Sequence, residues 1–223
     1  MHFLFSFSRY FFILAYLRAV NIPSRYIEEA VEQMASLPGV GKKTALRLVL
    51  HLLKQEESDV KRFSDAFTRM KKEVKTCSSC GNISDGEICE ICLNPRRDHS
   101  VICVVEDLRD IMAIEATSSF KGIYHVLGGI ISPMEGIGPS DLNIPSLLEK
   151  ARTGEVHEII LALNATMEGD TTNFYLYKKL KEFPVIISTL SRGVAVGSEL
   201  HYADELTLSR SIMNRMPYES NLK

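Results

Sequence analysis

Four cysteines carry the plainest chemistry in this chain. They fall within sixteen residues as Cys77-x-x-Cys80 and Cys89-x-x-Cys92. Each pair can aim two thiolates at one ion, and two such knuckles make a tetrahedral sulfur site. The spacer suits a short hairpin, with Gly81 and Gly86 at its turns. With all four positions filled by sulfur, one Zn²⁺ per chain would be structural rather than catalytic. The competing reading is a redox pair or four unrelated thiols. Disulfide frameworks belong to short secreted chains, and 223 residues is not short. A reducing cytoplasm therefore fits better. Cys103 sits in an apolar run and reads as a core thiol.

The second candidate is Leu37-Pro-Gly-Val-Gly41 followed by Lys42 and Lys43, placed between two helical patterns. Gly39 and Gly41 let the backbone approach a partner closely. The helix that follows offers free N–H groups and a positive dipole end, which suits a phosphate. Lys43 and Arg47 lie one turn apart and could flank a nucleic-acid backbone without sequence preference. The alternative is a plain turn with a solvated basic face.

Carboxylates form the third candidate. Glu106 ends an apolar strand pattern, and Glu168 and Asp170 are expected in the loop after a later strand. In a parallel sheet both places open at the carboxyl edge, where ligands bind. Acids from two such loops could hold Mg²⁺ for phosphoryl chemistry, or could be ordinary loop decoration. Asp107 and Asp110 read as helix-start charges, as does the pair Asp204-Glu205. His125 and His201 have no Ser or Cys partner, so no nucleophile is assigned.

Elements that could position these groups follow from periodicity. Helices are expected at 24–36, 42–54 and 60–74, the last burying Val60, Phe63, Phe67, Met70 and Val74. After the cysteines, strands at 101–105, 122–127, 158–163 and 185–189 alternate with helices at 111–116, 146–152 and 172–183. That alternation implies a small parallel sheet with helices on its faces. A strand and turn at 192–200 lead to a last helix at 203–214. Residues 1–76 hold 13 Lys/Arg against 8 Asp/Glu, while 77–223 hold 13 against 20. The positive end of the chain is therefore the place to seek a polyanion. No apolar run reaches 18 residues, which argues against a membrane span. The apolar run 10–17 between Arg9 and Arg18 reads as an N-terminal extension that adds little to the fold, as a misplaced start codon would give. A membrane-surface anchor is the rival reading.

In combination these parts resemble the RecR family of bacterial recombination mediators, from Asn21 onward. The resemblance rests on Leu37-Pro-Gly-Val-Gly-Lys-Lys-Thr-Ala-Leu-Arg47-Leu and on the four-cysteine finger with Gly81-Asn82-Ile83. Ile102-Cys-Val-Val-Glu106, Tyr124-His-Val-Leu127 and Ser132-Pro-Met-Glu-Gly-Ile-Gly-Pro139 carry it further. Glu168-Gly169, Arg192-Gly193 and Ala203-Asp204-Glu205-Leu206-Thr207-Leu208 complete it. The implied fold is a multi-part α+β chain. Residues 1–20 would be an extension, 21–76 a helix-hairpin-helix DNA-binding region and 77–92 a four-cysteine zinc finger. An α/β Toprim domain with a small parallel sheet would occupy 100–190. A strand and helix segment at 191–223 would serve oligomerisation.

The resemblance implies a non-enzymatic, ring-like homotetramer around DNA. With RecO, and often RecF, such proteins help load RecA at single-strand gaps, in the cytoplasm on the nucleoid. By motif position Lys43 and Arg47, with Lys42, Gly39 and Gly41, are implied to meet DNA. Glu106, with Glu168 and Asp170 beside it, is implied to face RecO. The chain departs from the pattern in three places. Asn164-Ala165-Thr166 stands where Toprim enzymes carry Asp-x-Asp, which weakens any Mg²⁺ site. Ala195 stands where the family usually has Pro, and the first twenty residues have no counterpart. A Mg²⁺-dependent Toprim nuclease or primase is the alternative function, and a zinc scaffold without a DNA role is a third.

Overall fold

The structure is a computed structural model that describes residue 22 and residues 24–217. The N-terminal extension lies outside the described residues. The chain divides into two compact units, one ending at Lys72 and the next beginning at Glu73.

The first unit is helical: α1 (Arg25–Ala35), α2 (Lys42–Leu52) and α3 (Glu57–Glu73). Helices α1 and α2 pack through Val31, Ala45 and Val49, with Ile27, Ala30, Met34 and Val40 around them. The turn between them closes with Val40 N–H donating to the Leu37 carbonyl at 3.0 Å. Gly39 sits there at φ +79, the left-handed region that a side chain resists. Helix α3 starts three residues before the expected position, and it buries nothing. Phe63, Phe67 and Met70 are 42%, 54% and 55% exposed, where the spacing implies burial. The periodicity marks an apolar face correctly, but the small α1–α2 core does not cover it. Instead Tyr26, Met34, Leu53, Phe63 and Phe67 help to line an open apolar groove of about 770 Å³.

The second unit begins with the short hairpin β1 (Lys75–Thr76) and β2 (Ile83–Ser84), then the one-turn helix α4 (Glu90–Leu93). Next come β3 (Asp98–Val105), α5 (Leu108–Ala116), β4 (Gly122–Val126), α6 (Ile144–Arg152), β5 (Glu158–Leu161), α7 (Met167–Leu180), β6 (Ile186–Thr189) and α8 (Glu205–Met213). The four long strands pair in the order β4-β3-β5-β6, all parallel. Strand β3 is central, so both faces are apolar and alternate. Ile102 and Val104 join Leu147, Ile159, Leu176 and Leu180 on one face. Cys103 and Val105 join Ile111, Tyr124 and Val126 on the other.

Two local expectations need correction. Helix α7 begins at Met167, not at 172, because Thr166 caps it by accepting the Gly169 N–H at 3.0 Å. Glu168 and Asp170 therefore lie in the first turn of a helix rather than in a loop. Between residues 192 and 200 there is no strand among the described residues. Helix α8 follows, with the Asp204 side chain accepting the Thr207 N–H at 2.9 Å.

Candidate functional site

The knuckle of Cys77 and Cys80 is built by backbone geometry. Gly81 turns at φ +77, donates its N–H to the Cys77 carbonyl at 2.9 Å, and lets the chain reverse. The Cys77 N–H then closes on the Asn82 carbonyl at 2.7 Å. Backbone N–H groups also point at sulfur: Asn82 to Cys80 Sγ at 3.4 Å and Cys89 to Cys77 Sγ at 3.3 Å. Such donors stabilise thiolate charge.

The ligand atoms of Cys77, Cys80, Cys89 and Cys92 lie within 4.8 Å of one another, and Cys80 and Cys89 are 3.6 Å apart. A tetrahedral site with Zn–S near 2.3 Å places its sulfurs about 3.8 Å apart. The cluster therefore has the ligand number and the dimensions of a four-coordinate zinc site. Cys92 is the thiol most readily ionised, held down to about 5 chiefly by a hydrogen bond with Cys80, whose own proton is held correspondingly tightly. Zinc here is structural, since four sulfurs leave no position for water or substrate.

The finger is fixed to the sheet at the end of β4. Val126 N–H donates to the Cys80 carbonyl at 2.7 Å. Asn143 Nδ2 reaches the Val126 carbonyl at 3.3 Å, and its own carbonyl accepts from His125 Nε2 at 2.7 Å. A Cβ on Gly81 would meet the Val126 oxygen at 3.0 Å and the Asn143 amide at 3.1 Å, so this approach requires glycine.

The acidic candidates do not converge. Glu106 follows β3, and its carboxylate accepts from Asn164 Nδ2 at 3.0 Å. A second carboxylate at 164 would repel Glu106 and call for a cation, whereas the amide satisfies it directly. Asp170 pairs with Arg192 at 2.5 Å and Arg210 at 3.5 Å, and Arg192 holds its carboxyl below the usual range. Glu168 stands in the first turn of α7. Among the described residues, the cysteines are the one group of three or more His, Cys, Asp or Glu placed to share an ion. Asp107 and Asp110 form the capping box of α5, as the sequence implies.

Lys43 and Arg47 are exposed on α2 and line one shallow depression with Leu46, Leu50, His51 and Lys54, about 430 Å³ in volume. The start of α2 has Gly41 as its N-cap and no side chain capping its N–H groups. Gly41 itself has φ −77 and nothing within 4 Å of an added Cβ, so only Gly39 is demanded by backbone conformation.

Sequence reasoning misses several partners. Asn164 reads as a missing acid rather than as a partner for Glu106. Nothing in the sequence links Arg192 and Arg210 to Asp170. Lys150 reads as an ordinary helix lysine, yet it buries its ammonium nitrogen. Only Arg192-Gly193, within a recognised motif, carries any local signal.

The comparisons cover nearly all of the described chain. The RecR helix-hairpin-helix model matches residues 27–71, and the RecR four-cysteine zinc finger domain model matches 74–94. "Toprim domain" matches 100–191 and "RecR, C-terminal" matches 193–216. The recombination protein RecR of Flavobacterium johnsoniae is 60% identical over 92% of this chain and 99% of its own length. That of Bacteroides thetaiotaomicron is 57% identical over 86% of this chain and 94% of its own. That of Porphyromonas gingivalis strain ATCC 33277 is 53% identical over 90% of this chain and 97% of its own. With a helical hairpin, a four-cysteine finger and a Toprim sheet matched in that order, the chain belongs to the RecR family of recombination proteins.

Proposed function

We propose that this chain is a DNA-binding recombination mediator that acts as a ring-like homotetrameric clamp. With RecO, and with RecF where present, it helps load RecA at single-strand gaps, in the cytoplasm on the nucleoid. The observation that carries this reading is the α2 stripe. Lys43 and Arg47 stand one turn apart beside an uncapped helix start that Lys42 opens. Gly39 and Gly41 leave that approach free of side chains. The contacts would be to phosphates and therefore independent of base sequence.

One copy would bind weakly, and several copies on one DNA would couple their contacts through effective concentration. The open apolar groove of the first unit supports self-association, because exposed apolar surface of this kind marks an interaction site. Leu206, Ile212 and Met213 leave the C-terminal helix apolar on its exposed side as well. Glu106 and Glu168 supply the acidic surface for RecO. Asp170 contributes indirectly, since its charge already holds Arg192 and Arg210. No described helix is long and apolar enough to cross a membrane.

The Mg²⁺-dependent Toprim reading is disfavoured by the Asn164–Glu106 hydrogen bond, which stands where paired acids would be needed. End-labelled gapped duplex DNA mixed with zinc-loaded protein and Mg²⁺, run on native and denaturing gels from one tube, separates the two. A native shift with full-length strands supports the clamp. New strand lengths made by the wild type and not by Glu106→Ala would replace it with an enzyme.

A further inference from the structure

We infer that the outer face of α3 is an auxiliary phosphate-binding surface, which holds duplex DNA backbone beyond the stretch that α2 holds. The inference rests on the reading of α2 as the DNA contact.

Helix α3 runs for 17 residues, about 25 Å at 1.5 Å per residue. Its two faces differ in chemistry. Val60, Phe63 and Phe67 lie on one and line the apolar groove. Lys61, Arg62, Asp65, Arg69 and Lys72 recur at helical spacing on the other. All five are exposed, and together with two hydroxyl side chains they line a separate shallow depression of about 620 Å³. It shares no residue with the depression beside Lys43 and Arg47 on α2.

The composition of this face selects its partner. No apolar side chain lines it. Protein interfaces centre on desolvated apolar and aromatic anchors, which are missing from this lining. Arginine, lysine and hydroxyl side chains are instead the common partners of phosphate oxygens. The cations form two groups, Lys61 with Arg62 and Arg69 with Lys72, about 13 Å apart along the helix axis. A duplex strand advances about 3.4 Å per phosphate, so the two groups meet different phosphates rather than one ion.

The face is also held in check. Lys61 lies 3.7 Å from Asp65 and Arg62 lies 2.8 Å from Asp59, both pairs open to solvent. Such pairs are worth little and can be exchanged for phosphate. Neither Arg69 nor Lys72 is in an ion pair among the described residues. Two free cations and two paired ones make a weak site, which adds to the hold of α2 and does not replace it.

Binding of the full-length zinc-loaded protein to gapped duplexes tests this. The arms are about one helical turn or about four turns long, a turn being about 34 Å. Arg69→Gln/Lys72→Gln removes the free cations at little cost in helix propensity. It is expected to bind long-arm DNA about tenfold more weakly, the scale of a few exposed charge contacts, and short-arm DNA within about twofold of wild type. Asp65→Asn removes the acid from the face and frees Lys61, so it should bind long-arm DNA more tightly, a gain that a merely structural role would not give. The proposal fails if the double variant binds long-arm DNA as wild type does. It fails if short-arm binding drops equally, since α3 would then be part of the α2 site. It fails too if Asp65→Asn binds no more tightly. Loss of affinity for a polyglutamate peptide and not for DNA would assign the face to an acidic protein instead. Failure of the α2 reading looks different: Lys43→Ala/Arg47→Ala would bind both DNAs as wild type does, and the proposal would fall with it.

Discussion

Gly169→Ala perturbs the glycine whose added Cβ would meet the closest neighbour among the glycines of the second unit. Gly169 is in the first turn of α7, and a Cβ built there overlaps the Asn164 carbonyl oxygen. The same Cβ would lie 3.1 Å from the Asn164 carbonyl carbon and 3.3 Å from the Thr166 hydroxyl. No rotamer relieves this, because the obstacle is main chain. Either the 164–166 segment or the start of α7 must move. Overpacking of this kind costs about 3 kcal/mol, the upper end of its usual range. Alanine recovers about 1 kcal/mol of helix propensity over glycine, leaving a net loss of about 2 kcal/mol. At about 2–4 °C per kcal/mol for a unit of this size, the melting temperature should fall about 4–8 °C. Thermal denaturation of zinc-loaded protein reads this directly, with Gly86→Ala as the control. Gly86 has only the Ile88 oxygen at 3.7 Å from an added Cβ, and its variant should melt within about 1 °C of wild type. A Gly169→Ala protein that melts at or above the wild-type temperature would refute the reasoning. So would a structure of it that keeps Asn164 on Glu106 with the loop unmoved.

Other outcomes follow from the same geometry. Metal analysis of protein purified without chelator should give one zinc per chain, and chelation should unfold the finger while the sheet retains its secondary structure. Asp170→Asn should loosen residues 193–216 to proteolysis at neutral pH while costing less than about 1 kcal/mol, because the pair is partly solvated. Arg192 depresses the Asp170 carboxyl in the folded protein, so this contribution exists above the unfolded value near 4 and is lost as pH falls through the folded value. Wild type should therefore become protease-sensitive in that segment on acidification, and Asp170→Asn should show no such step. Cys103, buried and pushed up to about 12, should resist alkylation in the folded protein at pH 8 and react on unfolding.

What the sequence discloses depends on the range of the interaction. The cysteine tetrad is legible because all four ligands lie within sixteen residues, and the helix-start roles of Asp107 and Asp110 because capping is local. The parallel sheet is legible from apolar strands alternating with helices. Helix α3 shows its apolar face by spacing, but spacing does not say what covers a face, and here the α1–α2 core is too small to do so. The start of α7 is hidden because Thr166 caps the helix ahead of its apolar stripe. Asp170 with its two arginines, and Asn164 with Glu106, join residues distant along the chain, which no local pattern reveals. Lys150 is hidden because a lysine on an amphipathic helix reads as solvated.

DNA contact through α2 is tested most directly by the salt dependence of binding to gapped duplex DNA, compared between wild type and Lys43→Ala/Arg47→Ala. About eight phosphate contacts, two from each of four copies, give a log–log slope near −7 on duplex DNA. The double variant should lose binding while keeping its zinc and its oligomer size. A double variant that binds with wild-type affinity and slope would remove α2 as the DNA site.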